Sequence, residues 1–404
     1  MVTDSSLFRD PRLYIVFGIT LTGVMGVSII SPAFPKIARA LSLNSQQVGL
    51  LITVFTIPGI FIAPTLGFLA DRIGRKQIVV PSLFLYAIAG SACAFAPSFS
   101  VLLMLRTVQG FGAAALTSLS VTLLGDMYEG SRRDAAVGYN ASVLSIGTAL
   151  YPAIGGLLAA ASWRFPFLVS LIALPVGLAA VFLLHSPFPK SSGSALRQLK
   201  TVWNNAVRTG ILLLSLLAIL QFILLYGVYL TYVPFLLEGR FAASTGTVGL
   251  LMSTMSLSTA FMASQNKRIA ANFSPRLLLA IAFVLIGVGL VLFATVPTLL
   301  LVPLATVVYG LGQGIIIPTV QGTIAARTPL ELRGATMSVN AMAIRIGQSV
   351  GPVVSGTVFV ALGLNATFLA GAGLAGAVMF LALIGIGSYR DAGTDSEHPA
   401  PDNF

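Results

Sequence analysis

Twelve apolar stretches, each long enough to cross a lipid bilayer, constrain this chain more than any other feature. They lie near 13–35, 47–70, 77–96, 99–124, 136–161 and 165–185, and again near 210–236, 246–266, 277–296, 299–323, 335–362 and 366–388. About 20 apolar residues in an α-helix cross a hydrocarbon core of about 30 Å. Backbone groups in lipid must find partners inside their own segment, which selects helices over open sheets. Only 9% of the 404 residues are charged, against roughly a quarter in soluble domains, so an ordinary soluble protein is excluded. A hydrophobic content of 56% excludes disorder. The sequence predicts an all-α integral membrane protein. The first apolar run is too long for a cleavable signal and continues into a helix–loop pattern, so no such signal is expected.

The net charge of +11 does not point to nucleic acid, because the basic residues sit at the ends of the apolar segments. An even number of spans puts both termini on one side. Seventeen of the 23 Lys and Arg fall on that side, among them Arg9, Arg12, Arg72, Arg75, Lys76, Arg132, Arg133, Lys267 and Arg333. Only Lys36, Arg39, Arg164 and Arg240 fall on the other, and Arg106 and Arg345 fall inside spans. The excess of positive charge predicts cytoplasmic termini and a multi-pass protein of the inner (plasma) membrane. Cys93 is the single cysteine, so neither an internal disulfide nor a thiolate metal cluster is expected.

The chain repeats itself at an offset close to 200 residues. Val48-Gly49-Leu50-Leu51 recurs as Val248-Gly249-Leu250-Leu251. Gly110 and Gly112 recur as Gly310 and Gly312, and Asn140, Gly147, Pro152 and Gly156 recur as Asn340, Gly347, Pro352 and Gly356. A repeat of six spans keeps its orientation, so two parallel six-helix bundles related by an axis along the membrane normal are predicted. The expected organisation is a cytoplasmic N-terminal segment (1–12), a first bundle (13–185), a polar cytoplasmic linker (186–208), a second bundle (209–389) and a disordered cytoplasmic tail (390–404).

Between the second and third spans the chain reads Gly67-Phe68-Leu69-Ala70-Asp71-Arg72-Ile73-Gly74-Arg75-Lys76. Gly67 allows two helices to approach closely, and Gly74 permits a tight turn. Asp71 suits a helix N-terminus, where the dipole favours an anion. Arg75 can pair with Asp126 at the end of the fourth span. The loop also serves topology simply by being basic. The fourth span carries Arg106-Thr107-Val108-Gln109-Gly110-Phe111-Gly112. An arginine at such depth costs about 3 kcal/mol or more on insertion scales unless it has partners or faces a cavity. Two roles are open to Arg106: tying its span to backbone carbonyls of the first, or binding substrate or coupling protons. The fifth span reads Gly147-Thr148-Ala149-Leu150-Tyr151-Pro152-Ala153-Ile154-Gly155-Gly156, and the second half reads Gly347-Gln348-Ser349-Val350-Gly351-Pro352. Small residues four apart pack helices closely, and Pro152 and Pro352 bend them.

These three motifs, with Trp163-Arg164-Phe165-Pro166-Phe167 and Pro32-Ala33-Phe34-Pro35, resemble those of the major facilitator superfamily, on the side of its twelve-helix drug:proton antiporters. The resemblance covers all but the polar tail. It implies the major facilitator fold, a monomer, and alternating access, with Gly67, Asp71, Arg72, Gly74, Arg75, Lys76 and Asp126 locking the cytoplasmic side when the cavity faces outward. Pro152 and Pro352 belong to the antiporter motif the resemblance implies. Tyr151 departs from the glycine of that motif, whereas Gly351 keeps it.

Arg345 stands about 11 residues into its span, roughly 16 Å deep at 1.5 Å per residue. At about 100° per residue, Ser338, Arg345 and Gln348 share one face and Asn340 flanks it. A polar face in lipid is costly, so this one is expected to line a cavity. Each deep arginine is present in only one half, since Arg106 corresponds to Thr306 and Arg345 to Ser145. The candidate substrate-binding set is Arg345, Arg106, Asn340, Gln348, Gln109, Gln221, Tyr229, Tyr232 and Gln313; aromatic and amide groups in an apolar cavity suit amphiphilic molecules. No carboxylate lies deep in a span, and Glu238 sits at the outer end of the seventh. The resemblance implies that exporters of lipophilic cations keep an intramembrane carboxylate, so such cations are poor candidates here, and Asp71 and Asp126 remain for proton coupling. No Walker lysine or nucleophile motif is present, so neither ATP nor catalysis is expected, and no cofactor or metal. The reading is a secondary transporter exporting small amphiphilic compounds, drug-like or metabolic, with protons and the bilayer as partners. Organic-anion, sugar or lysolipid transport, or a non-transporting membrane sensor, are the alternatives.

Overall fold

The computed structural model describes residues 7–184, 210–329 and 332–385. The linker expected at 186–208 and the tail expected at 390–404 lie outside the described residues, as do the surroundings of Gly67 and the side chain of Asp71. The described residues form helices joined by short turns. In the first half these are α1 (Pro11–Ala40), α2 (Ser45–Ile73), α3 (Arg75–Phe95), α4 (Phe99–Met127), α5 (Gly130–Ala161) and α6 (Phe165–Leu183). In the second they are α7 (Ile211–Phe241), α8 (Thr245–Ala270), α9 (Pro275–Thr295) and α10 (Leu299–Ala326), followed by one run, Arg333–Gly385. As a straight helix that run would reach about 80 Å, far beyond a bilayer. Gly363, at φ 82° and ψ −180°, breaks it into α11 (333–362) and α12 (364–385). Twelve spans result among the described residues.

Local chemistry sets the ends and breaks. Asp10 caps α1, accepting from the Arg12 amide at 2.9 Å. Asn44 and Gln47 form a reciprocal capping box at the start of α2. Ser98, Ser244 and Ser274 cap α4, α8 and α9. Gly74, at φ 100°, turns the chain between α2 and α3 within a single residue. In α1 the helix stops at Ser28, passes through the 3-10 turn Ser31–Ala33 and resumes at Phe34, where Pro32 and Pro35 supply no amide donors. In α7 the segment Ile223–Tyr229 winds as a π-helix, and Thr231 donates to the Tyr226 carbonyl at 2.7 Å across the widened turn.

Lipid offers no hydrophobic gain for bringing helices together, so close packing and hydrogen bonds hold the bundles. The contacts repeat as the sequence does. α2–α4, α3–α4, α3–α6 and α1–α5 in the first half match α8–α10, α9–α10, α9–α12 and α7–α11 in the second. The repeated glycines make these contacts. A side chain at Gly110 would overlap the Phe55 carbonyl, and one at Gly310 would overlap the Met255 carbonyl. Between the halves, α5 packs on α8 and α2 on α11.

Candidate functional site

A cavity of about 730 Å³ lies between the two bundles. Gly23, Gly26, Phe55 and Arg345 line its depth, and Arg75, Thr122, Gly334 and Ala335 line its mouth. The mouth is at the end of the bundle where α1 begins and where α2 turns into α3. The opposite end is shut by contacts between the halves. Gly49 meets Pro352, its added Cβ standing 3.3 Å from the Pro352 Cβ, and Gly249 packs against the Pro152 carbonyl. These two seams are repeat mates of each other. Pro152 bends α5, and the amide of Ala153 takes Ser253 Oγ as acceptor at 3.1 Å across the seam. Ser31 donates to the Leu230 carbonyl. Thr53 donates to the Ser349 carbonyl at 2.9 Å, and the Thr56 and Ser349 hydroxyls meet at 2.8 Å. Arg39 pairs with Glu238 at 2.6 Å on the rim of this closed end.

Ser338, Arg345 and Gln348 line the cavity together, as one face of α11. Arg345 is half-buried, and no acceptor for its guanidinium occurs among the described residues. It reaches across to α2. A Cβ at Gly59 would stand 3.1 Å from its Cδ, 3.2 Å from Nε and 3.3 Å from Cζ, so the bare backbone there lets the guanidinium lie against it. Gln348 is buried, with no hydrogen-bond partner for Oε1 among the described residues.

The other candidate binding residues are not among the residues lining this cavity. Arg106 is fully buried. Its Nη2 donates to the Gly26 carbonyl at 2.8 Å, Nε to the Leu51 carbonyl at 3.3 Å and Nη1 to Gln109 Oε1 at 2.7 Å. The ring of Phe55, itself a cavity wall, covers the guanidinium at 4.2 Å. Of its two possible roles, the structure displays the tie to backbone carbonyls, on α1 and also on α2. Gln109 passes the link to Ser170 at 3.1 Å. Gln221 bonds Gln313 inside the second bundle, and Asn340 shares a small separate cleft with Gln221. Tyr229 stacks on Tyr309 at 4.9 Å and Tyr232 on Phe359 at 5.0 Å, all within the second half.

Tyr226 and Gly59 line the cavity and were not reached by sequence reasoning. For Tyr226 the cause is the π-turn, which changes the angle per residue and moves the face that a regular α-helical wheel assigns.

At the mouth, Arg75 Nε lies 2.6 Å from Asp126 Oδ2. Lys76 caps the end of α6, donating to the Val181 carbonyl at 2.6 Å. Arg72 is exposed. Among the described residues no group of three or more His, Cys, Asp or Glu is placed to hold a metal ion.

The family profile described as Major Facilitator Superfamily matches residues 16–242 and 236–402. The chain belongs to this superfamily, and is a membrane transporter rather than an enzyme. Among curated proteins it is similar to the bacillibactin exporter of Bacillus subtilis, 33% identical over 156 residues, covering 37% of this chain and 39% of that protein. It is also similar to the quinolone resistance protein NorA of Staphylococcus aureus, 29% identical over 216 residues, covering 52% and 55%. The matched stretches thus span about half or less of these relatives' length; the first is named as an exporter and the second as a drug-resistance protein. Among solved structures, a point mutant of the nucleoside transporter NupG superposes with a TM-score of 0.80 at 16% identity, over 93% of this chain and 98% of that one. An inward-facing bacterial homologue of the lysosomal transporter Spinster gives 0.78 at 17%, over 95% and 97%. At such identities the likeness is one of fold.

Proposed function

We propose that this chain exports small amphiphilic organic compounds, drug-like or metabolic, by alternating access, as a monomer in the inner membrane with proton entry as the driving reaction. The observation that carries the reading is a chamber open at one end and shut at the other by two repeat-related glycine–proline seams. Tilting the halves about that chamber would open the seams and close the mouth. The basic residues gather at the open end, which supports a cytoplasmic mouth and cytoplasmic termini. One chain encloses the whole chamber, which supports the monomer. The volume and mixed apolar and hydroxyl lining suit a drug-sized molecule. Asp126, paired with Arg75 at the mouth, is the carboxylate we assign to proton exchange, with Asp71 four residues before that arginine in sequence.

The test is expression in an exporter-deficient strain against a panel of amphiphilic compounds, followed by proteoliposomes loaded with a pH dye. Raised resistance to at least one compound, with lumenal pH moving during its flux, is expected. Flux with no pH response across a range of gradients would remove the proton claim and leave export standing. Binding without flux would favour a sensor.

A further inference from the structure

We propose that Arg345 anchors an anionic group, of the carboxylate class, on the molecule carried in the chamber. This rests on the transporter reading above and names the chemistry of its cargo. Among the described lining residues the formal charges are Arg75 and Arg345, and no carboxylate is present. Arg75 faces Asp126 at 2.6 Å, which offsets its charge at the mouth. Among the described residues Arg345 has no such counter-ion. A guanidinium this deep in a membrane protein is expensive unless an anion or a set of acceptors meets it, and no acceptor is supplied by the described residues.

The geometry suits a planar oxyanion. Gly59 lets the guanidinium lie against α2 while its backbone stays on α11, so the charge sits between the halves. A guanidinium held this way offers paired N–H groups to a carboxylate, an arrangement that a lone ammonium cannot reproduce. Gln348 adds a buried amide one helical turn further along the same face, its Oε1 unpartnered. The terminal oxygen and nitrogen of an amide exchange by a flip, so the same position can present a donor. Around this polar spot Val24, Val27, Leu119, Met342 and Ile344 form apolar walls. A molecule with an apolar body and one negative end fits both parts. A cation would meet the Arg345 charge with nothing to offset it.

The experiment uses the full-length protein in lipid nanodiscs and three probes sharing one apolar body: 1-naphthylacetate, 1-naphthylacetamide and 2-(1-naphthyl)ethylamine. Binding is measured by equilibrium dialysis at one ionic strength. The anion is expected to bind at least about 10-fold more tightly than the amide, with the amine weakest. Arg345→Gln should erase the anion's advantage while leaving affinity for the amide. Gly59→Ala, which presses a methyl group on the guanidinium, should reduce that advantage without removing Arg345. Arg345→Lys should recover only part of it. Preference for the amine or the amide, an anion preference that survives Arg345→Gln, or no binding by any probe would each overturn the anion site. Resistance conferred on the exporter-deficient strain reports separately on transport, so either claim can fail alone.

Discussion

Arg106 gives its guanidinium to the carbonyls of Gly26 and Leu51 and to Gln109, and so joins α4 to α1 and α2. Arg345, in the other half, lies against bare backbone and open space. Arg106→Ala would take a charged donor from three buried acceptors and leave a void, a loss of about 3 kcal/mol or more. The expected result is a lowered melting temperature and aggregated protein on size exclusion, with no rescue by Arg106→Lys, which cannot reach three acceptors in a plane. Arg345→Ala should leave the melting temperature within a few degrees of the parent and abolish transport. A melt that collapsed with Arg345→Ala would reverse these assignments. At the mouth end, Asp10 accepts from the Arg12 guanidinium and from the Tyr128 hydroxyl at 2.9 Å. The Arg12 side-chain hydrogen bonds hold its carboxyl below the ordinary value, and burial together with the Asp10 contact pushes the Tyr128 hydroxyl up to about 12. A depressed carboxyl stabilises above the unfolded value of about 4 and loses that contribution as pH falls through the folded value. Protection factors at residues 8–14, taken against the intrinsic exchange rate at each pH, should therefore fall in acid, by roughly what about 1 kcal/mol allows, and the acid step should vanish in Asp10→Asn. The face of Ser338, Arg345 and Gln348 was legible in the sequence because side chains on one regular helix carry their own periodicity. For Arg106 the sequence offered the tie to the first span as one of two open roles and did not decide between them, since two of its three acceptors are backbone carbonyls on other helices, which no residue type announces.

The repeated small residues act at the level of helix pairs, in two groups. Gly110, Gly112, Gly310 and Gly312 let helices touch inside each bundle, where added side chains would strike backbone of α2, α3, α8 and α9. Gly49 and Gly249 let the bundles touch each other. Substitution should separate the groups. Gly110→Ala and Gly310→Ala should lower stability by about 1–3 kcal/mol, as overpacking does, seen as a lower melting temperature. Gly249→Leu meets its obstacle only when the closed end is shut, so it should spare the fold and disfavour this state. Spin labels across the α5–α8 seam should then report a longer distance. An unchanged distance would show that the seam yields elsewhere. The offset near 200 residues made the two-bundle plan legible in advance, because each half needs the same small residues for the same contacts. The break inside α1 carries a mark in Pro32 and Pro35, but the one inside α7 was not legible. A continuous apolar run reads as one helix, and the π-turn at Ile223–Tyr229 leaves no mark in composition.

For the molecule as a whole, the four basic residues on the side poor in positive charge are occupied by packing. Lys36 caps the end of α5, donating to the carbonyls of Ala159 and Ala160, and Arg240 donates to those of Phe293, Ala294 and Val296 near the end of α9. Arg164 lies over the Trp163 ring at 5.2 Å, and Arg39 bridges the halves to Glu238. Of the four, the Arg39–Glu238 pair alone crosses between bundles, so tilting must break it. With Arg39 60% exposed, such a pair holds about 1 kcal/mol or less, and the glycine–proline seams must supply most of the closure. This ordering is testable with engineered cysteines, because Cys93 is buried and contributes little background. Ser338→Cys reports on the mouth and Ser31→Cys on the buried contact with Leu230. In the parent, a membrane-impermeant maleimide should label Ser338→Cys from the face of the mouth, with Ser31→Cys protected from the other. Glu238→Gln should raise labelling at Ser31→Cys only a few-fold, as about 1 kcal/mol dictates. Gly249→Leu should raise it more than about 10-fold and lower labelling at Ser338→Cys in parallel, since one rigid tilt opens one end as it shuts the other. Labelling that rose at both ends together would mean that the bundles separate rather than rock, and a larger effect from Glu238→Gln would give the closure to the ion pair.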